Sequence, residues 1–181
     1  MAVKTCRDEF FEGLERRKDR PLPHGYYKLR ECHDRLVGTV EELQRIEELV
    51  SGRGDKWSLQ HCVSEDKHIW IKNVPRSVAW RLGYEALPGL RALTENGVPK
   101  GEVDSLYPTL LAEAEGLAGR LETHRRFIAK NIRLEYDGMK MGLPLLKPLV
   151  AEAVCIAARA MSLHKAPVEE VLCSIHPDAS P

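Results

Sequence analysis

Leu29, Leu36, Leu43 and Val50 recur every seven residues, and Cys32, Thr39 and Ile46 fall three positions after the first three of them. Side chains spaced three and four apart share one face of a helix. The pattern is therefore an a/d seam of about three heptads, widened by Val40 and Leu49. A stripe this long predicts a helix over about 26–50 that must be laid against other helices. That requirement restricts the chain to mainly α architectures.

Two further segments fit the same plan. Leu110, Leu117, Leu121 and Ile128, with Leu111 and Ala114 beside them, predict a helix over about 105–136. Asp104 or Ser105 is placed to cap it, and Pro108 lies in a first turn where its missing N–H costs little. Gly138 and Gly142 are then expected to interrupt the helix. A third runs over about 146–163 and carries Ala151, Ala153, Ala157, Ala158 and Ala160, small enough for close backbone approach in a core. His124 and Asn131 fall where the second seam should be apolar, which suggests that this helix emerges from the core there.

Residues of about 56–74 change period. "KWSLQHCV" and "KHIWIKNV" flank "SED" and read as two short strands of a β-hairpin. A lone hairpin is marginal in water, so its aromatics must lean on the helices or on a partner. Pro75 then opens the next helical stretch, "RSVAWRLGYEAL", which Pro88 and Gly89 divide from a short final turn. The expected fold is a mainly α helical bundle with one small hairpin. It comprises an N-terminal lead-in (1–25), a single helical domain (26–176) and a polar tail (177–181).

Composition narrows the function classes. Lys plus Arg equals Asp plus Glu at 27 each in 181 residues, so no whole-molecule field attracts nucleic acid or an anionic membrane. No apolar run approaches the roughly 20 residues that span a bilayer. The charged start lacks a signal-peptide core, and the five cysteines are scattered and odd in number. An intracellular, soluble, cytoplasmic or nuclear protein is expected.

Reactive constellations are sparse. Cysteine and histidine stand adjacent at Cys32–His33 and His61–Cys62, where neighbouring side chains diverge. Cys173 and His176 alone have usable spacing and cannot complete a site. Neither a metal nor a cofactor is expected. No phosphate loop, dinucleotide fingerprint or activated nucleophile is legible, which argues against an enzyme. Trp57, Trp70, Trp80, Tyr84 and Phe127 form an aromatic set suited to anchoring a partner. The expected function is a non-catalytic helical interaction subunit, an adaptor or assembly factor that binds another protein or a second copy of itself. The alternative is a nucleic-acid-associated protein that uses Arg125, Arg126, Lys130 and Arg133 of the basic stretch 124–133.

Overall fold

The computed structural model describes residues 3–18, 20, 22, 25–51, 64–131 and 137–164. These form helices α1 (Cys6–Arg17), α2 (Gly25–Ser51), α3 (Glu65–Arg81), α4 (Leu87–Ala92), α5 (Lys100–Asn131) and α6 (Asp137–Met161). One hydrophobic core runs through all of them. No strand occurs among the described residues.

The heptad seam folds as its period demands. Leu29, Cys32, Leu36, Leu43, Ile46 and Val50 are all buried, and α2 packs most extensively against α6. Leu49, expected to widen the seam, stays exposed. Along α5, Leu110, Ala114, Leu117 and Leu121 are fully buried against the same core. On α6, Ala153, Ala157 and Ala160 are buried, as close helix approach requires.

The structure departs from the sequence expectations at several points. Residues 67–74, expected as the second strand of the hairpin, are helical; residues 56–63 of that expectation lie outside the described residues. "KHIWIKNV" alternates, but Ile71, Val74 and Val78 also share one helical face, and all three are buried. A short apolar run is ambiguous between the two periods, and packing chose the helix. Pro75 accordingly sits inside α3 instead of opening a helix. α5 begins at Lys100, ahead of the expected cap, because the Pro99 carbonyl accepts the amides of Glu102 and Val103. α6 runs from Asp137 through Gly142, Pro144 and Pro148 instead of starting near 146.

Pro88 does not end its helix either. α3 passes through a π turn (Leu82–Ala86) into α4 without leaving right-handed helical dihedrals. A proline ring clashes with the carbonyl four residues back, and a wide turn just ahead of it accommodates that clash. The rod ends in a 3₁₀ turn (Leu93–Asn96) at Gly97, whose φ of 88° lies in the left-handed region that glycine adopts without strain.

Residues of the expected lead-in contribute α1, whose Cys6 and Phe10 are completely buried in the common core. Thr5 caps it through a reciprocal pair: Asp8 N–H donates to Thr5 Oγ1 at 3.1 Å, and Thr5 N–H donates to Asp8 Oδ2 at 2.9 Å. The helix crosses the π turn at two glycines. A Cβ on Gly83 would stand 2.1 Å from the Phe10 carbonyl oxygen, and one on Gly13 would meet the Gly83–Tyr84 backbone at 3.0 Å.

Candidate functional site

Three elements meet where α1 ends. The π turn holds Tyr84 so that Trp80, one turn earlier, stacks on it with centroids 4.3 Å apart and planes 24° apart. Arg17, in the last turn of α1, places its guanidinium carbon 4.1 Å from the centre of the same Tyr84 ring. The close glycine crossing brings α1 near enough for that contact. Arg91 of α4 lies in the same way over Tyr107 of α5, also at 4.1 Å. Both guanidiniums are therefore fixed on aromatic faces.

Beside these contacts lies an open cleft of about 610 Å3 between α1, the connector to α2, α4 and α5. Phe11, Leu14, Leu22 and Leu111 supply its apolar lining. Arg17, Lys18, Arg20 and Arg91 border it, with Glu15 and Glu95 among them. Lys18 reaches Glu15 at 3.5 Å. Arg17, Arg20 and Arg91 have no carboxylate partner among the described residues. Every other described arginine has one: Arg7, Arg16, Arg30, Arg35, Arg45, Arg76 and Arg81 in the first half, and Arg120, Arg125, Arg126 and Arg159 in the second.

Of the aromatic set, Trp80 and Tyr84 stack together under Arg17, which borders the cleft, while neither ring lines it. Trp70 lies about 15 Å up the same helical rod, where it packs on the core beneath Lys67, 5.4 Å from its ring centre. Phe127 is partly buried on α5, one turn beyond His124. Trp57 lies outside the described residues. The cationic residues of the cleft had one sequence signal, the run "ERRKDR" at 15–20, but it read as part of a lead-in. Arg91 and Tyr107 carried none.

The basic stretch of α5 is arranged differently. Glu122, 7% exposed, accepts from Arg125 Nε at 2.9 Å and a second Arg125 nitrogen at 2.8 Å. It also accepts from Arg126 Nε at 3.0 Å and from the Cys6 backbone N–H at 2.9 Å. Burial opposes its ionisation, but the bonds from Arg125, Cys6 N–H and Arg126 outweigh that and hold the carboxyl at about 2. A carboxylate thus sits on the positive end of α1. Lys130 is exposed, and Arg133 lies outside the described residues. His124 is buried instead of emerging; its Nε2 bonds the Gly142 carbonyl at 2.8 Å, tying α5 to α6, and burial holds its pKa below the ordinary value.

Two thiols are placed beside carboxylates. Burial, and then Glu122, push the Cys6 thiol up to about 12, while burial and Glu85 raise that of Cys32. Both remain protonated at neutral pH and are poor nucleophiles. Among the described residues no three His, Cys, Asp or Glu side chains converge to hold a metal ion. No described helix is long and apolar enough to cross a membrane. No protein-family model, curated protein or solved structure matches the chain.

Proposed function

We propose that the chain is a non-catalytic interaction subunit and that a partner protein docks in the cleft between α1, α4 and α5. One observation carries the reading: an open cavity of about 610 Å3 combines an apolar lining with arginines already fixed on aromatic rings. A concave apolar surface with a few well-placed polar groups is the usual form of a binding site. Arginine and aromatic residues are the side chains that most often anchor interfaces. The buried, protonated thiols of Cys6 and Cys32 favour binding over thiol catalysis.

The nucleic-acid reading has less behind it. Arg125 and Arg126 share the Glu122 carboxylate, which offsets one of their two charges, so the stretch offers phosphates less than its sequence suggests.

Photo-crosslinking tests the docking reading. A benzophenone side chain in place of Phe11, on the cleft wall, is expected to capture a defined protein in cells of the native source. The same group in place of the exposed Ile69 of α3 should capture it far less. Equal labelling from both positions, or none from position 11, counts against the cleft as the docking surface.

A further inference from the structure

Resting on that docking reading, we infer that the cleft receives an acidic segment of a partner protein, with one apolar side chain seated between α1 and α5. The chain is neutral overall, and each of its other described arginines has a carboxylate within reach, Arg125 and Arg126 sharing one. Arg17, Arg20 and Arg91, which lack such a partner among the described residues, all border this one cavity. An anionic occupant completes the pattern. The guanidinium fork donates two parallel hydrogen bonds to a carboxylate, so side-chain carboxylates suit these residues.

Two of the three arginines are also pre-ordered. Arg17 and Arg91 each lie 4.1 Å from a tyrosine ring centre, so less side-chain freedom is lost when an anion binds. The same contacts argue against single-stranded nucleic acid, because the Tyr84 and Tyr107 rings that bases would stack on are already engaged. The apolar lining of Phe11, Leu14 and Leu111 gives an attached aliphatic or aromatic side chain somewhere to go. Binding is therefore expected to need both an anion and an apolar anchor.

The test uses the full chain and fluorescein-labelled 14-residue peptides with a shared central Leu-Phe pair, flanked by Glu, Gln or Lys. Fluorescence anisotropy should rank the Glu peptide first, with the Gln peptide about tenfold weaker, a difference of about 1.4 kcal/mol. Replacing Phe by Ser in the Glu peptide should also weaken it. Arg91→Glu and Arg20→Glu, both at exposed positions, should each weaken Glu-peptide binding about tenfold while the helical circular dichroism is kept. Lys130→Glu, at an exposed position away from the cleft, should leave binding as it was.

Equal affinity for the Glu and Gln peptides, or no effect of Arg20→Glu and Arg91→Glu, overturns the inference. So does tighter binding of a 14-nucleotide single strand than of the Glu peptide. If the adduct formed from position 11 persists in Arg91→Glu, docking stands and only the acidic partner falls. Self-association that Arg91→Glu abolishes would assign the cleft to a second copy of the chain and overturn a separate partner.

Discussion

A methyl group added at position 83 tests how closely α1 crosses the π turn. The 2.1 Å it would leave to the Phe10 carbonyl oxygen is far inside any real contact, and the obstacle is backbone that no rotamer change can move. Gly83→Ala must push α1 outward, and overpacking of this kind costs about 2–4 kcal/mol. Gly116 makes the matched control. It lies mid-helix on the exposed side of α5, with nothing within 4 Å of an added Cβ. Gly116→Ala should therefore raise stability by about 0.5–1 kcal/mol through lost backbone freedom in the unfolded chain. Urea unfolding midpoints check both signs; a neutral Gly83→Ala would contradict a close crossing of α1 over the π turn.

At the scale of elements, the joint between α1 and α5 depends on one carboxylate. Glu122 takes the first amide of α1 and two guanidiniums of its own helix, and its folded pKa lies at about 2 against an ordinary 4.5. A depressed folded pKa means the unfolded chain binds the proton more readily. The associated stability is complete above pH 4.5 and is lost as pH falls towards 2, by about 3 kcal/mol in all. Glu122→Gln should remove that slope and lower stability at neutral pH by about 2–4 kcal/mol, because it leaves Arg125 short of a partner. Unfolding midpoints measured from pH 2 to 7 test this, and parallel curves for the two proteins would contradict it. Sequence had no access to this joint. Its two ends lie 116 residues apart: helical spacing lets Glu122 pair with Arg125 and Arg126, but nothing local brings the Cys6 amide to the same carboxylate.

The whole molecule behaves as one core that includes its first helix. Cys6 and Phe10 are fully buried, and α1 packs on α3, the π turn and α5. Deleting residues 1–18 would uncover the Gly83 crossing and strand Glu122 and its arginines at a new surface. The truncated chain is expected to lose a single sharp thermal transition and to bind a hydrophobic dye while keeping much of its helical circular dichroism. A truncated chain that melts cooperatively within a few degrees of the full one would make α1 an appendage. The cleft shares this dependence, since α1 supplies Phe11, Leu14 and Arg17.

Periodicity by itself determined the long helices. Leu29, Leu36, Leu43 and Val50 predict α2 to within a residue or so at each end, because a seven-residue apolar repeat has only one low-energy way to be buried. Ends and interruptions were settled elsewhere. Pro75 reads as a helix start, Pro88 as a break and Gly142 as an interruption, yet burial of Ile71, Val74, Val78, Leu82 and Leu146 carries the helices through all three. The ribbon-like alternation of "KHIWIKNV" yielded at 67–74 to the same competition. The cleft was the least legible part, since Arg17, the Tyr84–Arg91 stretch and Tyr107 come from three separate segments. Local spacing encodes which face of a helix is apolar; which faces then meet is a property of the packed molecule alone.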